Sequence, residues 1–205
     1  TEVCEGRVSC GCADIPCSGK ESAQKYLNLY TQAIKKIEKK YKSFWVKTVL
    51  SFMHFAIHSC EEQGDETNNF LEYILKSSFV RQFMCIRIGH AVNISDNNLS
   101  YILQKAGDLP KCYIELCSIS NMTVDSTCNT LSDLKKKHLR LLKSGIPVVI
   151  CTDDPGLFES DLKKDWLYVA NLLKESGEKK NPIAELLLCY ANNSLDLFRY
   201  PSPNN

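Results

Sequence analysis

Apolar residues recur at three- and four-residue intervals over residues 21–41, at Ala23, Tyr26, Leu27, Tyr30, Ala33, Ile34, Ile37 and Tyr41. Lysines and other polar residues fill the positions between them. That period gathers the apolar set on one side of a helix, so the segment is predicted helical. The next run, 45–51, is short and β-branched, which predicts a strand. A second apolar run, 52–58, follows with no turn signal between. Parallel neighbours cannot be joined so directly, because a crossover needs a dozen or more residues. The pattern therefore suggests a segment missing near residues 51–53.

Further along, the rhythm is regular. Helical periodicity marks 68–78, 96–106, 131–143, 161–175 and 182–192. Ser144-Gly145 gives the third of these a C-terminal stop. Strands are predicted at 84–90, 113–117 and 147–151. The last is almost wholly apolar, as expected of a strand buried on both faces. Strands alternating with helices predict a parallel α/β domain over 21–205. Residues 1–20, with Cys4, Cys10, Cys12 and Cys17 among Gly, Ser and Pro, read as an irregular Cys-rich leader. The usual close Cys-x-x-Cys pairs of a zinc module are missing there.

Composition narrows the classes. The 205 residues are 44% hydrophobic and 24% charged, with a formal net charge of +1. Near-neutrality gives no electrostatic case for nucleic acid or a membrane surface. The lysine runs at 35–42 and 135–137 read as solvated helix faces. No apolar stretch reaches membrane-spanning length, and no signal peptide opens the chain. Cysteines scattered through an α/β domain behave as small apolar residues in a reducing compartment, so a cytoplasmic protein is expected.

The candidate chemistry falls just after the strands. His58 and Glu61 follow the first, His90 the second, Ser120 and Asn121 the third, Asp153 and Asp154 the fourth. In parallel α/β folds the loops beyond strand C-termini hold the active site. Singly, each residue has an ordinary explanation: a structural histidine, a turn at Gly89-His90, a helix N-cap in Thr-Asp-Asp-Pro. Together they put two histidines and three carboxylates on one rim, the types that bind zinc and move protons.

The ordered set Ile-His58-Ser-Cys-Glu61, Arg87-Ile-Gly-His90, Glu115-Leu-Cys-Ser-Ile-Ser120-Asn121 and Cys151-Thr-Asp153-Asp154-Pro-Gly-Leu-Phe158 resembles the adenosine deaminase family. The resemblance runs from about residue 21 to about residue 198. Thr-Asp-Asp-Pro-x-x-Phe is its most specific element. His-Ser-Cys-Glu and Glu-Leu-Cys-x-x-Ser-Asn are closest to the adenosine deaminase-like branch, which acts on N6-methyl-AMP. The resemblance implies a (β/α)8 barrel, here partial, with about five of eight strands. It implies zinc as cofactor and hydrolytic deamination of adenosine or N6-methyl-AMP. His58 and Asp153 would be metal ligands. Glu61 and His90 would be catalytic, Glu61 protonating purine N1 and His90 assisting deprotonation of the attacking water. Asp154 would orient that water and meet the substrate at purine N7. The partner would be a small purine nucleoside or nucleotide, the complete protein a monomer.

This sequence departs from the family in one large respect. The family takes two more zinc ligands from a His-x-His pair, and the four histidines here are His54, His58, His90 and His138. His54 and His58 on one extended strand lie ~13 Å apart, too far to share an ion. His138, in a Lys- and Arg-rich stretch, reads as an exposed helix residue. The 205-residue chain alone is therefore expected to deaminate little. The alternatives are an inactive family member that binds a purine or a protein partner, and a Cys-rich zinc module fused to a barrel remnant. Two smaller departures are Ala91, where glycine is usual, and Ser118, where proline is common.

Overall fold

The computed structural model describes residues 2–4, 19–61, 63–124 and 130–197. The elements run β1 (Glu2–Cys4), α1 (Gly19–Lys40), α2 (Ser43–Leu50), β2 (His54–Ser59), α3 (Asp65–Lys76), β3 (Cys85–His90), α4 (Asp96–Gln104), β4 (Lys111–Leu116) and α5 (Ser118–Val124). They continue with α6 (Leu131–Leu142), β5 (Val148–Ile150), α7 (Pro155–Phe158), α8 (Leu162–Glu175) and α9 (Lys180–Leu197). The strands form one parallel sheet in the order β1-β2-β3-β4-β5. Strands β2 to β5 alternate with helices, as the sequence predicts. Among the described residues the sheet is open, with β1 and β5 at its edges. A sequential parallel order is that of a barrel wall. Of the Cys-rich leader, residues 2–4 form β1, and Cys10, Cys12 and Cys17 lie outside the described residues, as does Cys128.

The reading of 45–51 as a strand is corrected: those residues belong mostly to α2. Val46 and Leu50, four apart, are its buried residues. Thr48 satisfies its hydroxyl on the Phe44 carbonyl at 2.9 Å, within the helix. Packing of one helical stripe thus overrides β-branched propensity, which is a weak prior. The 51–53 joint is then only the turn that leads from α2 into β2, with Phe52 N–H and Met53 N–H donating to the Val49 and Leu50 carbonyls. With a helix in place of the strand, the joint itself no longer calls for a crossover.

Burial alternates along β2, where Phe55, Ile57 and Ser59 are buried and His54, Ala56 and His58 are half-buried. Parallel register aligns His58 with Gly89 and Gly89 with Glu115. One face of the sheet (Phe55, Ile57, Ile86, Ile88, Ile114, Leu116, Val148, Ile150) belongs to the main core under the helices. The opposite face carries Ala56, His58, Arg87, Gly89 and Glu115, which line a cavity of about 190 Å³ together with His90, Cys117, Cys151, Thr152 and Asp153. Of the described cysteines, Cys60, Cys85, Cys112 and Cys117 are buried, Cys151 is half-buried and Cys189 exposed.

Candidate active site

The tips of β2 and β3 build the first part of the site. Each ends in left-handed backbone: Cys60 has φ 58°, His90 63° and Ala91 55°. For residues with a Cβ that conformation costs roughly 1–2 kcal/mol, so the surroundings must hold it. They do so through Ala91 N–H to the Ser59 carbonyl at 3.1 Å and Asn93 N–H to the Cys60 carbonyl at 2.8 Å. Asn93 Nδ2 also donates to the Glu61 carbonyl at 2.6 Å. Strict alternation would send His90 towards the helix layer with Ile86 and Ile88. At the left-handed turn the alternation breaks, and the His90 ring centroid lies 4.3 Å from that of His58.

His58 Nε2 and Glu61 Oε2 are hydrogen-bonded at 2.9 Å. His90 Nδ1 lies 3.6 Å from Glu61 Oε1. One ligand atom from each of His58, Glu61 and His90 falls within 4.8 Å of the other two. The Glu61 carboxyl is held below its ordinary range mainly by the hydrogen bond from His58, against a smaller opposing effect of burial. Two imidazoles and a carboxylate are a donor set of the kind catalytic zinc uses, so these residues fit such an ion.

Strands β4 and β5 and helix α5 complete the rim. Asp153 lines the same cavity as His58 and His90. Its Oδ2 is 4.0 Å from His90 Nε2 and accepts the Ser120 hydroxyl at 2.7 Å. Asp153 thus stands beside the His58–Glu61–His90 cluster. Asp154 is exposed, and its Oδ1 caps α7 by accepting from Gly156 N–H at 3.1 Å and Leu157 N–H at 3.2 Å. That is the capping role the Asp-Pro pair suggests. The Arg87 guanidinium and the Glu115 carboxylate pair across the cavity wall at 2.6–2.7 Å.

His138 corrects the sequence reading. It is wholly buried on α6, on the face shared by Leu134, Leu141 and Leu142. The lysines around it project elsewhere, and the spacing 134, 138, 141, 142 was the legible signal. Burial pushes its imidazole down to about 4. Asp165 was also missed. It is 1% exposed, and its Oδ1 accepts Ile119 N–H at 3.0 Å in the first turn of α5, the helix carrying Ser120 and Asn121. Burial raises its carboxyl to about 6.

Fold and site together define a parallel α/β protein with imidazoles and carboxylates gathered at its strand tips, a candidate metal centre. The family model described as Adenosine deaminase matches residues 27–186, and the chain belongs to the adenosine deaminase family. Over 84 residues it is 34% identical to an adenosine deaminase-like protein of Drosophila pseudoobscura pseudoobscura, covering 40% of this chain and 22% of that one. Over 120 residues it is 28% identical to an adenosine deaminase-like protein of Drosophila melanogaster, covering 58% of this chain and 30% of that one. The match thus spans less than a third of either relative. No described helix is long and apolar enough to cross a membrane.

Proposed function

We propose that the chain forms part of a zinc-dependent hydrolase that replaces the 6-amino or 6-methylamino group of a purine nucleoside or nucleotide, adenosine or N6-methyl-AMP, with a carbonyl oxygen. One observation carries the reading: in a chain of the adenosine deaminase family, ligand atoms of His58, Glu61 and His90 converge within 4.8 Å at adjacent strand tips. When bound, zinc would supply a water acidic enough to be a nucleophile near neutral pH. His58 and Asp153 are the proposed ligands, with Glu61 and His90 of the same cluster kept beside the ion as acid and base. His90 takes the proton from the attacking water, and Glu61 gives one to ring N1. Asp154 orients the water and meets purine N7. In this geometry the His58 bond favours ionised Glu61. His58 Nε2 therefore has to leave Glu61 before Glu61 can act as an acid, which ligation by His58 would accomplish. Ser120, donating to Asp153, fixes the carboxylate's orientation, the usual task of a group just behind a ligand.

The test is zinc content and amine release (ammonia from adenosine, methylamine from N6-methyl-AMP), in the 205-residue chain and in the chain extended by any sequence its transcript encodes upstream. The extended protein is expected to hold about one zinc and to release ammonia from adenosine or methylamine from N6-methyl-AMP. Asp153→Ala should weaken zinc binding about tenfold or more. Unchanged zinc affinity in that variant removes Asp153 from the ligand set. Zinc or purine binding with neither ammonia from adenosine nor methylamine from N6-methyl-AMP favours the inactive-member reading instead.

A further inference from the structure

Tyr168 on α8 and His138 on α6 stand behind the cavity wall. A buried imidazole is tolerated only when both ring nitrogens are satisfied. His138 Nδ1 meets the Tyr168 hydroxyl at 2.9 Å, and His138 Nε2 meets Asn121 Nδ2 at 3.4 Å. Burial keeps the ring neutral, with one donor and one acceptor nitrogen, and keeps the Tyr168 hydroxyl protonated. On its other side, Asn121 Oδ1 lies 2.7 Å from His90 Nδ1. Four side chains thus link α8, α6, α5 and the tip of β3. Asn121 and His90 are as buried as His138, at 1% and 2% exposure. Water therefore competes little for these bonds.

We propose that His138, held by Tyr168, is a positioning residue that sets the tautomer of His90 through Asn121. An asparagine can face a neighbour with its oxygen or its NH2 group, and the network around it decides which. In the proposed arrangement His138 donates its Nδ1–H to the Tyr168 oxygen and accepts at Nε2, so Asn121 turns its NH2 towards His138 and its oxygen towards His90. His90 then carries its proton on Nδ1. Glu61 Oε1, 3.6 Å from that nitrogen, is a second acceptor facing it and favours the same tautomer. The competing arrangement, with the proton on Nε2, would need Asp153 Oδ2 as its partner. That oxygen is 4.0 Å away and already accepts the Ser120 hydroxyl. The result is an unprotonated His90 Nε2 turned to the cavity, where a lone pair is needed to accept a proton or bind a cation. The catalytic meaning of that lone pair rests on the deaminase reading, whereas the tautomer itself does not.

The experiment is long-range proton–nitrogen correlation NMR on the 205-residue chain with nitrogen-15 histidine and without metal or substrate. It reads the protonated nitrogen of each of the four rings, assigned by single His→Gln variants. The expected result is His90 as the Nδ1–H tautomer in the wild type, shifting towards Nε2–H in His138→Leu. His138→Gln, whose amide oxygen can accept from Asn121, should retain the wild-type form. An Nε2–H His90 in the wild type overturns the proposal, and that reading needs no variant to fold. An unchanged His90 tautomer in a folded His138→Leu variant overturns it as well. Deamination measured separately tests the reaction, so either idea can fail without the other.

Discussion

The two faces of this sheet are made of the same strands and do different things. Phe55, Ile57, Ile86 and Ile88, none more than 1% exposed, meet the helices on one side. Ala56, His58, Arg87 and Gly89, the residues between or beside them, line a cavity on the other. The first face contains what burial alone would select. The second puts an arginine, histidines and carboxylates into a partly dehydrated space, which costs free energy unless they pair. They do pair, His58 with Glu61 and Arg87 with Glu115. That polar face is where the metal and purine site is proposed.

The largest effect should come from breaking the apolar face. Phe55 is wholly buried and packs against the rings of Tyr30, Phe79 and Phe83 at centroid distances of 4.9–6.1 Å. Phe55→Ala should cost about 3–5 kcal/mol. Glu115→Gln, on the opposite face, should cost about 1–2 kcal/mol, because it weakens a charge-assisted hydrogen bond without opening a hole. Urea unfolding of the two variants measures both. Equal losses would mean that the cavity face is as structural as the core face, and the division drawn here would be wrong.

The next effect, up to about 3 kcal/mol for each group, is a pH dependence in which two buried residues near the site oppose each other. The His138 imidazole is pushed from 6.5 to about 4 by burial. Its contribution to stability is present above pH 6.5 and lost as pH falls through about 4. The Asp165 carboxyl is raised from 3.8 to about 6 by burial. Its contribution is present below pH 3.8 and lost as pH rises through about 6. Between pH 4 and 6 the two run against each other. His138→Gln should therefore lose less stability than the wild type on acidification from pH 6.5 to 4, and Asp165→Asn more. Unfolding free energies across that range decide it, and parallel pH profiles for both variants and the wild type would remove both residues as the cause.

These residues also mark where the sequence was legible. Periodicity found the long helices because each carries its own apolar stripe. It found β2 to β5 because their runs lie between helical patterns. It misread α2, where Val46 and Leu50 make a stripe too short to outweigh β-branched neighbours. It gave no sign of α5, since part of that helix's capping comes from Asp165, 46 positions away in the chain. The rim residues His58, Glu61, His90 and Asp153 were legible as polar groups following strands. His138 was obscured by its lysine neighbours, and the Arg87–Glu115 pair by its place inside strands, where only the alternation of faces gives it away.

The smallest effect tests the backbone at the edge of the site. Ala91 is wholly buried and left-handed, with φ 55°, at a position where the family usually has glycine. Replacing it by glycine relieves about 1–2 kcal/mol of left-handed strain. Against this stand about 0.5–1 kcal/mol of backbone entropy and about 0.8 kcal/mol of lost methyl burial. Ala91→Gly should thus fall within about 1 kcal/mol of neutral. Ala23 is equally buried but lies within helix α1. There nothing is relieved, and Ala23→Gly should cost about 2 kcal/mol from helix propensity and lost burial. Chemical denaturation of the pair isolates the backbone term, because the deleted atoms are the same. If both glycines destabilise alike, the tip of β3 is not strained, and the turn that brings His90 beside His58 owes its shape to something other than the tension held by its neighbours.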